Sequence, residues 1–280
     1  MKKLLITGCN GQLGRALNRV YEGEQVHIIN TDVPELDITD LDAVMHIVRE
    51  HKPHVIMNCG AMTAVDLCES EYEKAFRINA IGPRNLSIAA RETGAKLFQI
   101  STDYVFSGNA DHPYVETDVV DPQSVYGSTK LAGEQFVRDF ADRYFIIRTA
   151  WLYGEGKNFA ATMLRLAESN DTVRVVSDQF GTPTSALELA KMIHVLEPTE
   201  NYGIFHGTCE GRCSWADFAA EIFRQAGKRT KVEYITTAEY PTPAKRPAYS
   251  VLENRMLHLT TDFRMQQWQD ALSVYLKEIL

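Results

Sequence analysis

Short, largely apolar runs alternate along the first half of the chain with longer segments whose apolar positions recur every third or fourth residue. The runs are residues 3–7, 25–30, 54–58, 96–101 and 144–148. They lack the in–out alternation of a half-exposed strand, so they predict strands buried on both faces. The periodic segments predict helices near 15–21, 41–51, 72–93 and 126–142. Strand and helix in strict alternation predict an α/β fold with a doubly wound parallel sheet. After Tyr153 the pattern loosens. Helical stretches at 159–168, 187–196, 215–226 and 263–279 mix with short strands and proline-containing loops. The expected organisation is a dinucleotide-binding core over 1–152. A smaller α/β part over 153–280 mainly binds substrate and returns some segments to the core sheet.

In such a sheet, ligands bind beyond the carboxyl ends of the strands. Three segments with suitable chemistry fall there. The first is Gly8-Cys9-Asn10-Gly11-Gln12-Leu13-Gly14, with glycines at G-x-x-G-x-x-G spacing directly after the first strand. Glycine permits the sharp turn, lets backbone approach a pyrophosphate and packs the next helix close to the sheet. The second is the stretch 58–63, which contains Ala61, Met62 and Thr63. The third is Ser101-Thr102-Asp103-Tyr104-Val105-Phe106. A hydroxyl there, from Ser101 or Thr102, can bond a substrate carbonyl.

Tyr126-Gly-Ser-Thr-Lys130 then places a phenol and an ammonium one helical turn apart. A free tyrosine, with a pKa near ~10, is a poor acid at neutral pH. A neighbouring cation lowers that value, so the pair is expected to exchange a proton with an oxygen atom. Alone, the tyrosine–lysine spacing is common. In order behind a glycine turn and a Ser/Thr strand end, it is much more specific.

Asp32 ends the second predicted strand, where a carboxylate holds an adenosine ribose. No Arg or Lys lies between Asp32 and Asp40, which favours NADH over NADPH. Asp37 and Ile38 follow, beside the expected adenine. Turn and capping roles are the ordinary alternatives for these aspartates.

Composition narrows the classes. The chain has 280 residues, 45% hydrophobic, and a net charge of −8. No apolar run reaches membrane-spanning length, and the acidic balance disfavours a nucleic-acid surface. The start, MKKLLITGCNG, is too short in its apolar run for a secretory signal. Five cysteines, an odd number, suit a reducing cytoplasm. Cys209, Cys213 and His206 lack a second ligand pair, so buried free thiols are expected there and no metal.

The strings GCNGQLG, NCGAMTAVDLCESE, STDYVFSG, VYGSTKLAGE, RTAWLYG, NFAATMLRLA, DQFGTPT, GRCSWADFA and KRPAYSVL span nearly the whole chain. Together they resemble the dTDP-4-dehydrorhamnose reductase family of extended short-chain dehydrogenase/reductases. The resemblance implies a Rossmann core and reduction of the C4 ketone of a dTDP-linked 4-keto sugar by NADH or NADPH. It implies Tyr126, Lys130 and Thr102 as catalytic residues. It places Gly8, Asn10, Gly11, Gln12, Leu13 and Gly14 at the cofactor phosphates. Asp37 and Ile38 fall near the adenine, Ala61, Met62 and Thr63 along the cofactor, and Tyr126 and Lys130 at the nicotinamide ribose. Thr102, Asp103, Val105 and Trp151 are implied toward the sugar, and Asn158, Gln179 and Arg246 toward the nucleotide diphosphate.

One departure stands out. Members that share magnesium at a homodimer interface carry a glutamate just after the glycine motif. This chain has Arg15-Ala16 there, which puts the metal in doubt and leaves monomer or homodimer open. A sugar-nucleotide epimerase with tightly held NAD and a non-catalytic regulatory subunit are the rival expectations. The intact tyrosine–lysine–threonine set speaks against the second.

Overall fold

A computed structural model describes residues 1–280. Five strands form where the apolar runs predict them: β1 (Lys2–Thr7), β2 (Val26–Thr31), β3 (Val55–Asn58), β4 (Lys96–Thr102) and β5 (Tyr144–Thr149). A sixth strand, Gly203–His206, pairs in parallel with β5. The order across this parallel sheet is β2-β1-β3-β4-β5 and then Gly203–His206.

Successive strand residues face opposite ways, and both faces are covered. Leu4, Ile6, Val55, Met57, Phe98, Phe145 and Ile147 join one apolar cluster with Leu13 and Leu17 of helix Gln12–Val20 and with Leu189, Met192, Ile193 and Leu196 of helix Ala186–Leu196. Their neighbours Leu5, Ile56, Leu97 and Ile146 join another with helices Leu41–His51, Gly82–Thr93 and Val125–Phe140. A third large cluster lies beyond the sheet. There helices Phe159–Leu166, Trp215–Gln225 and Trp268–Ile279 pack around Tyr153, Phe218 and Leu272. Strands Thr172–Val176 and Lys231–Ile235 pair in parallel at its edge.

Two helices differ from expectation. The predicted helix over 72–93 is broken by a π turn at Arg77–Ile81. Pro83 has no N–H to bond the Asn79 carbonyl. That carbonyl lies instead against Gly133, where a Cβ would come within 2.3 Å of it. The helix expected from residue 263 begins only at Trp268. The chain just before it bridges to Glu210, with the Trp268 N–H donating to the Glu210 carbonyl at 3.1 Å.

β1 lies between β2 and β3, so the chain winds to opposite sides of β1. This switch point opens a crevice at the carboxyl ends of β1 and β3.

Candidate active site

The turn after β1 depends on glycine. Gly8 has φ +64°, and a Cβ there would sit 2.7 Å from the Gly60 nitrogen. A Cβ on Gly14 would reach 2.5 Å from the Gly8 carbonyl oxygen. Helix Gln12–Val20 starts at Gly11 with no side chain capping it and no acid in its first turn. Its first N–H groups therefore face the crevice as an anion site. Gln12 Oε1 is buried without a hydrogen-bond partner. An uncapped helix start and a glycine cradle fit a dinucleotide pyrophosphate.

Two cavities meet at this turn and share Gly11, Cys59 and Ala61. The smaller, about 580 Å³, holds Gly8, Asp32, Asp37 and Ile38. Asp32 Oδ2 accepts the Asn10 N–H at 3.1 Å, so the end of β2 also fastens the glycine turn. The larger, about 680 Å³, brings Asn10, Gln12, Leu13 and Thr63 together with Thr102, Asp103, Tyr126, Lys130 and Trp151. Residues that are 116 positions apart in sequence, Asn10 and Tyr126, thus share one cleft.

Helix Val125–Phe140 sets the phenol and the amine. Ser124 caps it, accepting the Gly127 N–H at 3.1 Å. Lys130 Nζ donates to the Ile100 carbonyl at 2.6 Å. Burial pulls this ammonium down to about 8, opposed by the Glu134 carboxylate. The Tyr126 phenol differs from the expectation that Lys130 lowers it. Burial pushes it above the usual tyrosine value, and the opposing influence is the Thr102 hydroxyl. The lysine ammonium is turned to β4, and the phenol stays protonated.

The structure separates the two hydroxyls that the sequence left equivalent. Ser101 Oγ donates to Glu134. Thr102 Oγ1 donates to Asp103 Oδ1 at 2.9 Å and accepts the Tyr104 N–H at 3.2 Å. Asp103 is buried with Oδ2 unpartnered, and burial raises its carboxyl to about 6.

Several expected contacts point elsewhere. Gly14 packs against the turn, and Val105 is buried with Phe106, Tyr114 and Leu252. Met62 is buried beside Cys68 and Ala75. Asn158 caps helix Phe159–Leu166 and donates to Tyr275 Oη at 2.9 Å. Gln179 donates to Thr237 Oγ1 at 3.1 Å. Arg246 pairs with Asp66 at 2.8 Å beside a small separate pocket.

Three residues join the site unannounced. Asn79, in the π turn, accepts the Met62 N–H at 2.9 Å and donates to Thr129 Oγ1 at 3.2 Å. It clamps the loop after β3 to the tyrosine-bearing helix. A lone polar residue on an apolar helix face was its only sequence signal. Trp215 lines the large cavity and follows Ser214, which forms a capping box with Asp217. Arg15 forms an ion pair with Glu155 at the cavity mouth. No group of three or more His, Cys, Asp or Glu is placed to hold a metal. Cys209 and Cys213 are free and buried in the third cluster. No helix is long and apolar enough to cross a membrane.

All of residues 1–280 match the family described as the RmlD substrate binding domain. A dTDP-4-dehydrorhamnose reductase structure from Clostridium acetobutylicum is 53% identical, with TM-score 0.98, covering 99% of each chain. One from Bacillus anthracis, solved in complex with NADP, is 42% identical, with TM-score 0.97, over 99% of this chain and 100% of that one. The dTDP-4-dehydrorhamnose reductase of Aggregatibacter actinomycetemcomitans is 41% identical over 97% of both chains. With the glycine turn, the switch-point crevice and the tyrosine–lysine helix in one cleft, the chain belongs to the RmlD family of extended short-chain dehydrogenase/reductases, that of the dTDP-4-dehydrorhamnose reductases.

Proposed function

We propose that this protein reduces the C4 ketone of dTDP-4-dehydrorhamnose to give dTDP-L-rhamnose. The observation that carries this reading is the half-buried Tyr126 phenol standing in the same cleft as the uncapped helix start at Gly11. A bound dihydronicotinamide supplies the hydride. Tyr126 donates its proton to the sugar oxygen on which charge develops, and the Thr102 hydroxyl bonds the same oxygen. A phenol held protonated by burial is in the correct state for that donation. Lys130, charged at neutral pH, binds the cofactor ribose and offsets the phenolate left behind. Asp103 and Trp151 hold the sugar. Residues 153–280 act mainly as the substrate side, contributing Glu155, Lys157 and Trp215 to the cleft wall. Asn158 and Gln179 bond other side chains and support the cleft from outside, while Arg246 bonds Asp66 through Nη2 and keeps a buried, unpartnered Nη1.

The expectation of NADH rested on Asp32 and on the absence of a cation before Asp40. The ribose cavity also receives Lys74 and Arg77 from a helix some forty residues further on, which removes that ground. Arg15, tied to Glu155 of its own chain, offers no carboxylate for a shared metal, which favours a metal-independent enzyme.

The test is oxidation of NADH and NADPH with dTDP-4-keto-6-deoxy-L-lyxo-hexulose, with the product identified by NMR. Formation of dTDP-L-rhamnose is expected. Protein purified with stoichiometric NAD and no net oxidation would support an epimerase instead.

A further inference from the structure

The Thr102 hydroxyl has one proton to give, and Asp103 holds it. Thr102 Oγ1 donates to Asp103 Oδ1 at 2.9 Å and accepts the Tyr104 N–H at 3.2 Å. A sugar oxygen that gathers charge can only accept. For Thr102 to donate to that oxygen, Asp103 must release the proton. Asp103 is buried. A carboxylate oxygen set free there costs free energy until another donor takes it.

Ser250 stands where that donor is needed. Its segment, 248–252, is pinned on two sides. The Ser250 N–H donates to the Phe180 carbonyl at 2.8 Å, and the Tyr249 N–H donates to the Gly108 carbonyl at 3.0 Å. The Val251 carbonyl accepts the Tyr114 N–H at 2.9 Å. Leu252 packs with Val105, Phe106 and Tyr114, in the stretch that runs on from Asp103. The Ser250 side chain is buried and does not line the cleft. It bears on the Asp103 carboxyl all the same. Burial raises that carboxyl, and the Ser250 hydroxyl leads the groups that hold it down, ahead of Thr102 and the Asp103 and Tyr104 backbone. The geometry of a hydrogen bond is not reached, since Ser250 Oγ and Asp103 Oδ2 are both buried without a partner. An unpaired donor beside an unpaired acceptor costs free energy that a turn of the carboxyl recovers.

We infer that Ser250 is a positioning residue for the reduction: its hydroxyl takes over the Asp103 carboxylate, which frees the Thr102 proton for the sugar oxygen. This rests on the reading of Thr102 as a donor to that oxygen. Ser250 acts through Asp103 and Thr102 and touches neither sugar nor cofactor.

The test is steady-state reduction of dTDP-4-keto-6-deoxy-L-lyxo-hexulose with NADH and NADPH, together with thermal melting, on the full chain. Wild type is compared with Ser250→Ala, Thr102→Val and the double variant. Ser250→Ala is expected to lower kcat by about 10- to 100-fold, the worth of a hydrogen bond to a charged group. KM for the sugar nucleotide is expected to stay within about threefold, because the freed proton matters as charge grows on the oxygen. The melting temperature should not fall, since the hydroxyl removed is unpaired in the free protein. Thr102→Val is expected to lower kcat at least as far. With Thr102 gone there is no proton to free, so the double variant should stay within about twofold of Thr102→Val. Losses that multiply in the double variant would overturn the inference. So would a loss confined to KM, a lowered melting temperature with kcat unchanged, or a Ser250→Ala kcat within about twofold of wild type. Thr102→Val at wild-type kcat would remove the Thr102 donation and the inference with it. Wild type that oxidises neither cofactor with this sugar would remove the proposed reduction itself.

Discussion

Trp151 and Trp215 stack with ring centroids 3.5 Å apart and planes 9° from parallel. Trp151 holds a left-handed backbone, φ +47°, which a bulky residue adopts only when its surroundings enforce it. Trp215 covers one side of its ring. Gly181 meets it closely as well, since a Cβ there would come within 2.4 Å of the indole.

Removing the stack in Trp215→Ala is expected to free Trp151 and raise KM for the sugar nucleotide by about 3- to 10-fold, matching an aromatic pair worth ~0.5–1.5 kcal/mol. Trp215→Phe should restore most of the loss. Binding of adenosine 5′-diphosphate by calorimetry should not change. An unaltered KM in the alanine variant would reject a positioning role for Trp215.

Tyr126→Phe is expected to lower kcat by ~10²–10⁴, the contribution of a positioned acid. The ring packs edge-on to Tyr104 at 5.4 Å, a contact that loss of the hydroxyl leaves in place. The variant should therefore fold and melt like wild type. Steady-state turnover within a few-fold of wild type would show that another group donates the proton.

Asp103 carries a pH signature. Its folded carboxyl titrates at about 6, above the free value of ~3.9. The folded state thus holds this proton more tightly than the unfolded chain. The resulting stability is present below pH ~4 and is lost as pH rises through about 6. Asp103→Asn removes that loss. Urea midpoints should show the variant gaining ~2–3 kcal/mol on wild type in going from pH 4 to pH 7. A difference that is flat with pH would place the titration elsewhere. The same variant should bind the sugar nucleotide more weakly at pH 7.

Arg148 and Glu134 form a buried two-pronged pair, at 3.0 Å from Nε and 2.7 Å from Nη2. The guanidinium also lies 5.1 Å from the centre of the Phe106 ring. Glu134 follows Tyr126 and Lys130 at helical spacing, so this pair fastens their helix to β5. Arg148→Met leaves a buried carboxylate unpaired and should cost ~3–5 kcal/mol of unfolding free energy. Adding Glu134→Leu should recover most of that. A double variant no more stable than the single one would contradict a charge-burial origin.

Five strands and most helices were legible because burial on both faces of a sheet leaves a purely local record in the chain. The π turn was not. It arises from the meeting of Pro83, Asn79 and Gly133, and no periodicity encodes a contact between helices. The proposed catalytic trio stood out in the sequence as an ordered set, with Thr102 at a strand end and Tyr126 and Lys130 one turn apart at the start of a helix. Its electrostatics were not, since desolvation is the sum of everything packed around a group. The expected lowering of Tyr126 by Lys130 took account of one neighbour and missed the burial.

By itself, the sequence determined the alternation of strand and helix, the glycine turn and the family to which they point. Only the tertiary structure decided which polar atoms meet. It tied Ser101 to Glu134 and Thr102 to Asp103, turned Asn158, Gln179 and Arg246 to other partners, and carried Arg77 to the cavity that holds Asp32 and Asp37. Local conformation follows from neighbours along the chain. The charge and shape of a cavity follow from segments brought together across it, and that closure depends on the whole core.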